Sequence, residues 1–245
     1  MEMQFLIALA FIVFLASLVH GSIGFGFGMI STPIIALFTD IQTTIVLMLI
    51  PTIITNIISI VNEGKFFKAL QKFWFIISLM VLGSIIGTLL LIYVNSDYFK
   101  LLLAFIIFIY LLQSNINIRL SFISLYPKFS TYILGIFGGI LSGLTNIVAP
   151  LLIMYSIELN YSKKDTIQLS NLCFLFTKSA QLVLFVYFGS FTMQIVETSM
   201  IGVIAVFIGL FLGIKIKRKI NAQLYTKILK LLLFTVASVL VFTTI

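Results

Sequence analysis

The chain lacks most of what a soluble domain or an enzyme works with. Of its 245 residues only 9% are charged, one is cysteine and one is histidine, whereas 61% are hydrophobic. A single cysteine, Cys173, set in an apolar run, excludes a disulfide, and a single histidine, His20, excludes a His-rich metal cluster. Seven acidic residues against fifteen basic ones leave a formal charge of +8. In a chain of mean hydropathy +1.24 that excess marks cytoplasmic loops rather than a nucleic-acid surface. So little polar area cannot coat a water-soluble fold. The expectation is an all-α integral membrane protein with the lipid bilayer as its partner, without nucleic acid, cofactor or metal.

A crossing helix needs about 20 mainly apolar residues. Apolar runs near 3–20, 43–61, 73–94, 98–113, 131–142, 166–188, 192–214 and 224–245 give about eight transmembrane segments. The start, Met1-Glu2-Met3-Gln4, has no basic stretch before its apolar run, so a cleaved signal is not expected. Two shorter runs, 29–38 and 147–157, are too short to cross and follow breaks at Gly21 to Gly28 and Ser142 to Asn146. They read as half-helices, with Pro33 and Pro150 near their starts, where proline is well tolerated. At an offset of 117 residues Gly26 falls on Gly143 and Pro33 on Pro150. Interrupted segments in matching positions are the mark of a carrier built from two repeats, here 1–120 and 121–245.

If all eight segments simply crossed, the basic loop at Lys65, Lys68 and Lys72 and that at Lys215, Lys217, Arg218 and Lys219 would face opposite sides. The positive-inside rule forbids this. If the break in each repeat instead makes a re-entrant hairpin, eleven basic residues (those seven with Arg119, Lys128, Lys163 and Lys164) share one side, and Lys100 alone lies on the other. Each repeat is then a broken, re-entrant helix plus three helices, and the second repeat is inverted relative to the first. Both termini are expected outside, with the basic loops in the cytoplasm of a cell inner or plasma membrane.

The tips would meet near the midplane, where irregular backbone is tolerated only if it is buried or lines a cavity. Each following half-helix points its open N–H groups and positive dipole end at that centre, which favours an anion. Gly24, Gly26, Gly28 and Gly143 allow close backbone approach, and Ser22, Ser31, Thr32, Ser142, Thr145 and Asn146 add neutral donors. No carboxylate lies deep in a span, which argues against cation transport. Lys178 is the one charged side chain well inside a segment, with an anion or half-helix carbonyls as its expected partners. Asn56 falls near the matching position in the first repeat, and Asn171 shares a helix with Lys178. His20 is a candidate for proton coupling, with plain structural use the favoured reading.

The stretch His20-Gly21-Ser22-Ile23-Gly24-Phe25-Gly26-Phe27-Gly28 with Pro33, and Gly139-Ile140-Leu141-Ser142-Gly143 with Pro150, resembles the sulfite exporter TauE/SafE family over essentially the whole chain. The resemblance implies an inner-membrane carrier of sulfite, sulfoacetate or another organosulfonate. The chain departs from the family's glycine-rich second break at Leu144-Thr145-Asn146-Ile147-Val148-Ala149. The function expected is a secondary transporter of a small sulfur-containing anion working by alternating access; the alternative is an anion channel of the same architecture. An enzyme is not expected, because the spans hold no nucleophile and base pair. Self-association in the bilayer, as a homo-oligomer, is left open.

Overall fold

The computed structural model describes residues 3–94, 96–116, 121–216 and 222–244. Glu2, Arg119, Lys217, Arg218 and Lys219, which the sequence reading names, lie outside the described residues. The first half contains α1 (Met3–Ile23), α2 (Phe27–Ile35), α3 (Ile41–Glu63), α4 (Phe66–Tyr93) and α5 (Ser96–Ile116). A short α6 (Ser121–Leu125) leads into α7 (Pro127–Thr145), α8 (Ala149–Glu158), α9 (Lys163–Tyr187), α10 (Met193–Ile216) and α11 (Ala222–Thr244). There is no strand among the described residues.

Local chemistry sets these limits. Asp40 accepts the Thr43 N–H at 2.9 Å to open α3, and Gly64, at φ 68°, closes it. Ser162 caps α9 by accepting the Asp165 N–H at 3.1 Å, and Asp165 reaches Lys72 of α4 at 3.0 Å. Pro150 sits in the first turn of α8, as the sequence suggests. Pro33 does not start its helix but lies inside α2, where it withholds one helical N–H.

Among the described residues five helices are long and apolar enough to cross a bilayer: α1, α3, α4, α9 and α10. α5 and α11 carry shorter apolar stretches at Tyr98–Leu112 and Lys230–Thr244, and α2 and α8 are too short to span. Large apolar side chains such as Phe11, Trp74, Ile86, Phe207 and Phe211 are exposed, whereas Ser17, Thr55, Asn56, Asn171 and Gln181 are buried. Apolar outside and polar inside is the pattern that a hydrocarbon solvent imposes.

The two halves run through the same helices in the same order, long, short and then three long. Their helix starts match at a spacing of 122 residues, Phe27 with Ala149 and Ile41 with Lys163, rather than at 117. Each half's first helix packs on the other half's fourth. Gly83 and Gly87 of α4 meet the backbones of Ile136 and Ile140 in α7, and Gly209 and Gly213 of α10 meet those of Phe14 and Leu18 in α1. Contact this close needs glycine. In both pairs later residues meet later residues, so the helices run parallel. α7 and α8 form a hairpin, pinned by Thr131 Oγ1 and Tyr155 OH at 2.8 Å. α3 and α9 run antiparallel, with Gln168 Nε2 donating to the carbonyls of Ile60 at 3.2 Å and Gly64 at 2.7 Å.

Candidate functional site

Two short non-helical links separate the half-helices from their long partners. The first, between α1 and α2, turns on Gly24 at φ 102° and Gly26 at φ 104°, angles that only glycine adopts without strain. The second, between α7 and α8, turns on Asn146 at φ 59°. The links touch. A Cβ on Gly28 would fall 2.8 Å from Asn146 Nδ2, and the same amide donates to Thr32 Oγ1 at 2.9 Å. The expected meeting of the two tips is therefore present.

Beside this contact lies a small pocket with a free volume of about 10 Å³, room for about one water. Gly26, Phe27, Gly28 and Met29 form one wall, with Ala149 from the start of α8. His20, Thr52, Asn56 and Asn171 supply polar side chains, and Phe25 and Phe174 supply apolar cover. The first in-helix donor of α2 is the Ile30 N–H, bonded to the Gly26 carbonyl at 3.2 Å. The Gly28 and Met29 amides before it find no acceptor among the described residues. The Ala149 amide likewise precedes the first in-helix donor of α8, the Leu152 N–H on the Val148 carbonyl at 3.2 Å. Two half-helix N-termini thus open on one pocket.

The side chains around it have distinct tasks. His20 Nδ1 accepts the Phe27 N–H at 3.3 Å and Nε2 sits 2.8 Å from Ser59 Oγ, so the ring caps α2 and is held from α3. Asn171 Nδ2 donates to the carbonyls of Gly24 and Ile167, each at 2.7 Å, which closes the first link from α9. Asn56 Nδ2 donates to the Thr52 carbonyl at 2.6 Å. The Thr52 hydroxyl is buried and finds no partner among the described residues. Its proton is available to a ligand.

Of the residues singled out from sequence, Gly26, Gly28, Asn56, Asn171 and His20 line this pocket, Gly24 joins it through its bonded carbonyl, and Thr32 and Asn146 hold the link contact. The others are placed elsewhere. Ser22 and Ser31 donate back into their own helices, to Val19 and Phe27 carbonyls at 2.8 Å each. Thr145 donates to the Leu141 carbonyl at 2.8 Å and accepts the Ile147 N–H at 3.3 Å. Ser142 and Gly143 belong to the last turn of α7, Gly143 pressed against the backbone of Ser84 and Thr88.

Lys178 is 1% exposed and points away from the pocket wall: its Nζ donates to the Ser142 carbonyl at 2.7 Å and to Gln181 Oε1 at 2.6 Å. Gln181 Nε2 in turn donates to the Gly143 carbonyl at 2.8 Å. Its partners are a carbonyl in the last turn of the long helix α7 and Gln181 of its own helix, not a carbonyl of either half-helix. Thr52, Ser59, Gln181 and Ala149 were not singled out from sequence. Gln181 had a signal, lying one turn beyond Lys178; the others had none.

Broken helices whose ends meet inside a shell of lipid-facing helices define the class, a membrane-embedded protein of the transporter kind. The family model described as sulfite exporter TauE/SafE matches residues 9–240. The chain belongs to that family, a family of membrane transporters. No curated protein and no solved structure matches it.

Proposed function

We propose that the protein is a secondary transporter of a small sulfur-containing anion, sulfite, sulfoacetate or another organosulfonate, working by alternating access around the pocket between the two links. The observation that carries this reading is the convergence of the α2 and α8 N-termini with the unpartnered Thr52 hydroxyl. Each helix end carries roughly half a positive charge, so two together match about one negative charge. Amides and a hydroxyl fixed before the ligand arrives suit oxygen atoms disposed around sulfur.

In the same reading, residues 1–120 and 121–245 are inverted repeats, and eight segments cross or re-enter. The parallel packing of α1 on α10 and of α4 on α7, with the hairpin of α7 and α8, supports this topology. Both termini lie outside and the basic loops in the cytoplasm. Rocking one repeat against the other exposes the pocket to either side in turn.

The test is the melting temperature of the purified protein against sulfite, thiosulfate, sulfate, sulfoacetate, taurine and chloride, followed by flux into proteoliposomes. Binding to the folded state raises the melting temperature. A rise with one sulfur oxyanion and a flux that saturates support the carrier; a flux that climbs linearly with concentration makes it a channel. Stabilisation by amines or metal cations alone overturns the anion reading.

A further inference from the structure

We propose that Lys178 takes up one proton each time the pocket takes up an anion and releases it when the anion leaves, so that the protein carries proton and anion together. The inference rests on the anion reading of the pocket. It starts from an imbalance. Lys178 is the only buried lysine, and no aspartate, glutamate or arginine is buried with it among the described residues. Its Nζ is met by two neutral oxygens, the Ser142 carbonyl and Gln181 Oε1. A buried cation with no counter-charge is costly in a bilayer interior. The pocket has the opposite imbalance: no formally charged side chain lines it, so an anion there is held by dipoles alone.

The two places are joined by one helix. Phe174, on the pocket wall, lies one turn before Lys178 in α9, and Asn171 lies one turn before that. They are joined a second way, because Ser142 and Gly143, which Lys178 and Gln181 hold, lead directly into the Asn146 link that touches Gly28. In a water-poor interior, unit charges of opposite sign attract more strongly than they do in water. Each ion makes the other affordable, and the coupling is reciprocal by thermodynamic necessity.

Among the described residues no other ionisable group is hydrogen-bonded to the lysine. α7 presents Ser142 and Gly143 to the lysine, α4 presents Ser84 through Thr177, and α9 itself presents Thr177 and Gln181. On the pocket side the titratable group is His20, whose two nitrogens are occupied by the Phe27 N–H and by Ser59 in the arrangement of a neutral ring. Cys173, also on α9, belongs to the apolar cluster of α4 and α8. The step is a protonation only: a proton from the loading side binds the free amine of Lys178, and the ammonium returns it on the other side as the anion departs.

The experiment follows proton uptake with a pH dye in weakly buffered detergent solution as methanesulfonate is added, since this ion stays singly charged across the neutral range. Expected are about one proton taken up per anion bound by the native protein, tighter binding as pH falls, and binding without proton uptake in Lys178→Arg, whose guanidinium stays charged. Lys178→Met removes uptake as well and weakens binding. Anion binding by the native protein without proton uptake, or uptake that survives in Lys178→Arg, overturns the inference and leaves the carrier reading intact. Failure of the native protein to bind any sulfur oxyanion in the melting series overturns the carrier reading itself.

Discussion

The link between α1 and α2 turns on two glycines and caps nothing with its own side chains; its exposed backbone is served by His20, which takes the Phe27 N–H, and by Asn171, which takes the Gly24 carbonyl. The link between α7 and α8 turns on an asparagine, caps its own Ile147 N–H through Thr145, and has its preceding carbonyls tied by Lys178 and Gln181. Both links thus depend on α9, whose residues 171, 178 and 181 lie along one face. The difference is in what they leave open. The glycine link leaves the Gly28 and Met29 amides without an acceptor among the described residues, whereas the asparagine link is cross-tied by Thr145, Lys178 and Gln181. Two halves with their helices in the same order carry different polar wiring.

The largest expected effect breaks that wiring on the anchored side. Lys178→Ala leaves the Ser142 carbonyl and Gln181 Oε1 without their donor in a dry interior, a loss of about 1–3 kcal/mol of stability for each acceptor left unsatisfied. Its counterpart at the spacing of 122 is Asn56, and Asn56→Ala removes one neutral bond to the Thr52 carbonyl, about 1 kcal/mol. Denaturation of both variants in one detergent checks the contrast. Equal losses would mean that the halves are wired alike after all.

The turns themselves come next. Gly24→Ala meets both the left-handed φ, roughly 1–2 kcal/mol, and the Ile167 side chain 2.8 Å away, about 1–3 kcal/mol more. Asn146→Gly keeps the turn and loses only the bond to Thr32, about 1 kcal/mol. Thermal unfolding should rank them in that order. A larger loss at Asn146 would show that the contact between the links, and not the turn, is what the fold depends on there.

Some of this arrangement was legible in the residues and some was not. Half-helices after glycine-rich and polar breaks could be read directly, because a run of about ten apolar residues cannot cross and its backbone must be satisfied elsewhere. The starts of α2 and α8, and of α3 and α9, lie 122 residues apart and not the 117 read from the sequence, because matching Gly26 to Gly143 pairs a turn glycine with a packing glycine. Gly143 is needed where α7 presses on Ser84 and Thr88, while the real counterpart of the glycine turn is Asn146, the residue that most readily replaces glycine at positive φ. The burial of Lys178 was legible from its depth in the span. Its direction was not, since the face a helical residue turns to its neighbours is decided by tertiary packing.

Thr52 gave no signal at all, and it carries the smallest but most specific prediction. Threonine inside an apolar helix usually donates to the carbonyl one turn back, as Thr55 does to Pro51, Thr88 to Ser84 and Thr145 to Leu141. Only the folded arrangement reveals that Thr52 does not, and that its hydroxyl lies on the pocket instead. Thr52→Val removes no bond in the empty protein, so its melting temperature without ligand should stay close to native or rise slightly. A hydrogen bond to a charged partner is worth about 1.5–3 kcal/mol, so anion affinity should fall about 10- to 100-fold. Thr55→Val should do the reverse, lowering the melting temperature and leaving affinity unchanged. Titrating the same sulfur oxyanion against both variants separates the two effects. If Thr52→Val bound the anion as well as the native protein, the hydroxyl would be idle and the recognition would rest on the helix ends alone.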